Sequence, residues 1–380
     1  MKRIHVVSFD VPYPPNYGGV FAVYQLLQFL KECNVNVVLH VFTYNKRQIS
    51  PELNVLCEKI ITYKRNTGLW SQLSILPYIV RSRRHPDLRR NLIADDEPVL
   101  FEGVHTCYWL KDVAKVKANV FVRAHNIEAD YYRFLAKYES ELTKRIFFSI
   151  EAYRLRFFEK KILKLARKVF CFTQKDAEML SHYGVRTVVS NPFFSSMRIQ
   201  VNKGNGRGIL IHGNLAINDT VQSIRLILQH FKDYPEIKMI IAGRNPADEL
   251  INYLVGFPQV QLIINPDDAQ LPELIQDAHI HLCHTNIEAG FKMRLMSLLQ
   301  YGKFIVCNEK FCTEPLLKQA LYIENDLAKW PALVKTLLGK DFEPIDIEHR
   351  SNVVNTLNGT RGIGILIEEI FGKNTKCENK

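Results

Sequence analysis

The sequence predicts an α/β protein built from two consecutive parallel-sheet halves, and three observations carry that prediction. Short β-branched runs alternate with longer segments of helical period through most of the chain. The alternation breaks once, at a polar, glycine-rich stretch near residue 200, and then restarts. The length of 380 residues suits two or three domains of roughly 150 residues each.

In chain order, residues 3–9 read as the first strand, and Val20, Val23, Tyr24, Leu27 and Leu30 then follow a helical stripe. Further strands are expected at 35–43, 59–63, 98–101, 118–123, 169–173 and 186–189. Strand–helix alternation of this kind implies βαβ units and a parallel sheet covered by helices. Residues 130–168 are helical in period and interleave bases with aromatics, as in Lys144-Arg145-Ile146-Phe147-Phe148. Such a segment reads as a long helix with one face in the core and a solvated basic face. Pro192 and the run from Val201 to Gly208 suit a linker. Beyond it, strands are expected at 208–212, 238–243, 260–265, 280–283 and 304–307, and Val221, Ile224, Leu228 and Phe231 mark a helix between the first two. Met293, Leu295, Met296 and Leu299 mark another helix, starting near Gly290 and stopping before Gly302.

Fifty Lys and Arg against 39 Asp and Glu leave a net charge of +11. That balance favours phosphates, nucleic acid or anionic lipid heads as partners. Nucleic acid is not expected, because no recognisable motif accompanies the charge. The eight cysteines form no Cys-x-x-Cys pair and have no histidine at ligand spacing, so neither zinc nor a disulfide framework is expected and a cytoplasmic setting is. The first residues lack a signal-peptide core, and no apolar run approaches the ~20 residues that span a bilayer. Residues 68–80, apolar and aromatic, are followed by Arg81, Arg83, Arg84, Arg89 and Arg90. They read either as a docking surface on the anionic inner face of a membrane or as an ordinary packed helix with solvated arginines.

Four constellations could carry chemistry. The loop after the first strand ends in Gly18-Gly19 at a helix start, where free backbone amides favour an anion; a plain turn is the alternative. Arg123-Ala124-His125-Asn126-Ile127-Glu128 follows a predicted strand, and polar residues at the carboxyl end of a parallel strand face the ligand crevice of α/β sheets. His125 there can donate to a hydroxyl or a phosphate oxygen, or simply cap a loop. Glu102 and His105 occupy a similar strand end. In Glu288-Ala289-Gly290-Phe291-Lys292-Met293-Arg294, the expected helix start puts Lys292 and Arg294 in its first turn. Cations there oppose the helix dipole unless an anion binds. Finally, Ala242-Gly243-Arg244 ends one strand of the second half and Ile211-His212-Gly213-Asn214 another, placing a guanidinium and a close-approach glycine at the same edge.

Taken in order, these pieces resemble the retaining glycosyltransferases of family 4 and their GT-B relatives. Gly18-Gly19 is similar to that family's glycine loop and Arg123 to Glu128, with Tyr131-Tyr132, to its cleft histidine segment. Residues 211–215, 242–246 and 290–295 resemble its successive donor-domain motifs, and Leu299 to Val306 the helix–glycine–strand passage after them. The resemblance implies two Rossmann-like domains facing each other across a cleft. The acceptor-side domain would span 1–195, the nucleotide-sugar domain 196–350, and a helix at 351–372 would cross back. It implies transfer, with retention, of a sugar from a nucleotide-activated donor to a glycan or lipid-linked acceptor in cell-surface polysaccharide synthesis, with no metal or cofactor. His125, Lys292 and Arg244 would carry catalysis. Gly18, Gly19, Gly213, Asn214, Arg244, Glu288, Gly290, Phe291, Lys292, Arg294 and Ser297 would hold the donor, and Glu102, His105 and Asn126 would lie on the acceptor side. Two features depart from the family. Its glutamate pair maps to Ala289 and Ser297, with Glu288 one position away, and its Arg and Lys after the first donor-domain strand map to Asn214 and about Asp219. Those departures would also suit a relative that binds a sugar or nucleotide without turning it over.

Overall fold

A computed structural model describes residues 2–15, 18–43, 47–68, 71, 74–193, 197–267 and 269–372. The chain divides into two compact units. Met1–Phe194, Ala289–Phe291 and Asn358–Lys380 form the first; Ser195–Glu288 and Lys292–Leu357 form the second.

The first unit holds a seven-stranded parallel sheet of β1 (Lys2–Ser8), β2 (Val35–Thr43), β3 (Lys59–Lys64), β4 (Val99–Glu102), β5 (Val120–Ala124), β6 (Lys168–Cys171) and β7 (Thr187–Val189). Their order in space is β3-β2-β1-β4-β5-β6-β7. The chain therefore winds outward from β1 in one direction and returns to β4 on its other side. The crevice beyond the carboxyl ends of β1 and β4 is the switch point, where open α/β sheets bind ligands. The strands are apolar on both faces because both are covered. Val7, Phe101 and Val122 pack on one side, against Ala129, Leu155 and Ile162. Val6, Leu100 and Phe121 pack on the other, against the helix Gly18–Glu32 and against Leu366, Ile367 and Ile370 of the helix Gly364–Phe371.

The second unit repeats the plan with β8 (Ile209–Asn214), β9 (Met239–Arg244), β10 (Val260–Ile264), β11 (Ile280–Cys283), β12 (Phe304–Cys307) and β13 (Tyr322–Ile323), ordered β10-β9-β8-β11-β12-β13. Its switch point lies between β8 and β11. Every pairing in both sheets is parallel. Each of the twelve expected strands is present; β13, only two residues long, is too short to give a periodic signal.

Three expectations need correction. The helix expected from Gly290 begins at Arg294 and runs to Tyr301, so Lys292 precedes it. The long basic helix is two, Glu128–Tyr138 and Leu142–Ile162, broken where Glu139 takes an extended backbone. Within the arginine-rich stretch, Arg83 is not a surface cation. It is buried, and its Nε and Nη1 donate to the carbonyls of Phe9 (2.9 Å) and Ile79 (2.6 Å). Arg81 donates to the Tyr108 hydroxyl. Leu69, Trp70, Gln72 and Leu73 of the preceding apolar run lie outside the described residues. No helix among those described is long and apolar enough to cross a membrane. Cys57, Cys107, Cys171, Cys283, Cys307 and Cys312 are free thiols, and Cys33 is disulfide-bonded.

Candidate functional site

In the first unit, charged groups converge beyond the strand ends. Glu102 closes β4 and Arg123 sits opposite it in register on β5. Both are fully buried, with Arg123 Nε donating to Glu102 Oε2 at 3.0 Å and Nη2 to the Ala22 carbonyl at 2.6 Å. His125 follows β5, and its Nε2 lies 2.6 Å from the same Glu102 oxygen. A carboxylate only accepts, so Nε2 carries the proton and Nδ1 is left as an acceptor. Phe172 stacks on the imidazole and Phe9 meets it edge-on, fixing the ring plane. Burial lowers the His125 pKa, and the Glu102 hydrogen bond opposes that shift. The ring is therefore neutral at neutral pH.

His105 and Asn126 join this cluster through Glu128. Asn126 Nδ2 donates to Glu128 Oε1 at 3.3 Å, and His105 Nε2 is 3.9 Å from Oε2. Burial pushes Glu128 up to about 7, against the hydrogen bond from Asn126 and the charge of Arg83. Glu102 Oε1 and His105 Nδ1 are buried without a hydrogen-bond partner in the structure, which marks a polar site rather than a finished core. Gly290 is brought to the same place. At φ +60° it lies so close to Asn126 that a Cβ would overlap the amide oxygen, and it would sit 2.8 Å from the His125 carbonyl. Phe291 beside it meets Phe193 edge-on, with ring centres 5.8 Å apart. Gly18 and Gly19 open the helix Gly18–Glu32 after β1.

In the second unit the organising group is Arg294, the first residue of its helix. Pairing of β8 with β11 ends at Leu210 and His281, and beyond that point the strands separate. The guanidinium spans the opening, Nη1 donating to the His212 carbonyl at 2.8 Å and Nη2 to the His284 carbonyl at 3.3 Å, and it lies over the Phe311 ring. Backbone carbonyls and an aromatic face thus stabilise a cation at a helix start, which corrects the expectation that only a bound anion could. Gly213 permits the approach, since a Cβ there would stand 2.9 Å from Arg294 Nη1. Gly213 and Asn214 pair in register with Gly243 and Arg244 of β9, so Arg244 lies at the same sheet edge. Asn214 is turned to its own loop and accepts from the Ala216 amide. Asp219 accepts from the Thr285 hydroxyl (2.6 Å) and the Asn286 amide (2.9 Å), tying down the loop after β11. Ser297 is half-buried in the helix, Lys292 is half-buried before it, and Glu288 is exposed.

Sequence alone gives Arg83 only a surface role and His212 only a place at a strand end, and it does not single out His284 or the pairing of Arg123 with Glu102. The pair left a signal: two opposite charges, each ending an apolar strand of the same parallel sheet, have to meet or go unpaired. Arg83 left none, because the carbonyls that hold it come from residues 4 and 74 positions away.

No family model matches the chain. It is 26% identical over 325 residues to an uncharacterised 44.6 kDa protein in the cps region of Klebsiella pneumoniae, covering 80% of this chain and 82% of that one. Among solved structures it resembles TarM, with a TM-score of 0.67 at 8% identity over 97% of this chain and 98% of TarM. It also resembles HepE of Anabaena in complex with UDP and glucose, with a TM-score of 0.60 at 12% identity and the same coverage. Two parallel sheets of seven and six strands, each with its switch point beside the first strand, give this chain the GT-B glycosyltransferase fold.

Proposed function

We propose that the protein is a glycosyltransferase that moves a sugar from a nucleotide-activated donor to a glycan or lipid-linked glycan, with retention, in cell-surface polysaccharide synthesis. The observation that carries this reading is Arg294 bridging the carboxyl ends of β8 and β11 at the switch point of the second sheet. A guanidinium already oriented there suits a diphosphate leaving group, the main charge that develops in such a transfer. Arg244 at the same edge and Lys292 before the helix add positive charge. His125, neutral and oriented by Glu102, offers Nδ1 to a sugar hydroxyl. The Klebsiella relative's place in a cps region and HepE's UDP and glucose support the class of donor and product.

The test is nucleoside diphosphate release from a panel of nucleotide sugars, with calorimetry of the diphosphates alone. Release from at least one donor is expected. Arg294→Ala should weaken diphosphate binding by about 10- to 100-fold, the loss of one charge-assisted bond. A second reading, binding without turnover, is favoured by the commitment of Asp219 to its own loop, where the family has a cation. Tight diphosphate binding with no release from any donor would select it.

A further inference from the structure

The helix Leu142–Ile162 buries Glu151, Leu155, Glu159 and Ile162, and Phe147, Phe148 and Phe158 pack half-buried beside them. At 3.6 residues per turn, Leu142, Ile146, Ile150, Tyr153 and Phe157 form a stripe about 80° wide on the opposite side. These five side chains are 47–67% exposed, although each is large and apolar. A contiguous stripe of this kind is unlike the scattered apolar residues of an ordinary surface. Arg145 and Arg156 flank it on one side and Lys161 on the other, where Arg154 pairs with Glu151; the acidic residues of the helix, Glu151 and Glu159, are buried. A groove of about 510 Å³ runs along the stripe toward the helix Glu128–Tyr138, and on its wall Lys137 extends the positive rim while Arg133 pairs with Asp130.

We propose that this face docks on an anionic lipid surface, with the apolar stripe at the boundary between headgroups and acyl chains and the flanking cations among the headgroups. The charge pattern selects that occupant. An in-plane amphipathic helix buries a stripe of this width and gains from Lys and Arg along its margins. A second copy of the chain, meeting the face through a two-fold axis, would set one basic rim against the other. The surface is separate from the groups assigned to sugar transfer, and vesicle binding is read without turnover, so either reading can fail while the other stands.

The experiment is flotation of the full chain with phosphatidylglycerol–phosphatidylcholine vesicles and with phosphatidylcholine vesicles alone. Binding is expected to the anionic vesicles, and about 0.5 M salt should release most of it, because screening shortens the reach of the rim charges. Ile146→Glu with Phe157→Glu should abolish it. Arg145→Gln, Arg156→Gln and Lys161→Gln together, which alter only exposed positions, should lower the partition coefficient about fivefold per charge removed. Melting curves should match the wild type for both variants, and should the glutamate variant melt lower, the glutamine variant decides. Absence of flotation at low salt, or flotation equal to wild type in the deciding variant, would overturn the proposal. So would a stable dimer by light scattering that Ile146→Glu dissociates.

Discussion

Glu102 shows how one side chain can serve stability and chemistry together. A single carboxylate oxygen accepts from both Arg123 and His125, so the carboxylate neutralises a buried guanidinium while it sets the tautomer of the imidazole. Glu102→Ala would leave Arg123 charged and buried without its carboxylate, at a cost of about 3–5 kcal/mol, read as a lower denaturant midpoint. His125→Ala removes a neutral ring and should cost much less stability. Its effect should appear in product formed per folded molecule, and a large melting shift with turnover preserved would reassign His125 to packing.

Of the two helices Glu128–Tyr138 and Leu142–Ile162, the first takes its cap from the second. Ile127, at the cap position of the first, offers no side-chain acceptor. Instead Glu159 of the second accepts from the amides of Glu128 (2.8 Å) and Ala129 (3.0 Å). A carboxylate there complements the helix dipole, yet burial and the neighbouring Glu128 push it up to about 8. An acid whose pKa is raised on folding binds more protons in the folded state between its two pKa values. Stability therefore falls as pH rises from about 4.5 toward 8. Glu159→Gln keeps an acceptor and removes the titration. Denaturant unfolding of this variant should show a flatter dependence on pH across that window than the wild type, with a loss of about 1 kcal/mol at pH 5 from the poorer cap.

Over the whole molecule, opposed titrations set the pH of greatest stability. Burial lowers the pKa values of His5, His40, His105, His125, His212, His281 and His284. Unfolding lets them take protons at 6.5, so each loses up to about 1.4 kcal/mol of stability per pH unit below that value. The raised Glu128 and Glu159 act the other way, disfavouring the folded state as they ionise. Stability should peak near about pH 7 and collapse steeply in acid. Chemical denaturation at a series of pH values checks this, and a maximum near pH 5 would mean that the histidines are exposed.

The sequence by itself determined the plan of both sheets. A buried parallel strand must be a short β-branched run and its crossover an amphipathic helix, and both patterns are local, so twelve strands could be placed before any contact was known. It also put Glu102, His125, Gly213 and Arg244 at strand ends, because in parallel α/β proteins the strand direction alone fixes which end faces ligand. What only the tertiary structure decided is which groups share a charge. Arg83 reads as one of five surface arginines until the Phe9 carbonyl, 74 residues away, is seen to hold it. Arg294 looks unfavourable until β8 and β11 separate and offer it the carbonyls of His212 and His284. Gly290 reads as a helix start until Asn126 occupies the space a Cβ would need. Local pattern records what a residue needs, namely burial, a partner or room, whereas the partner itself comes from chain far away in sequence and is assigned only by the fold.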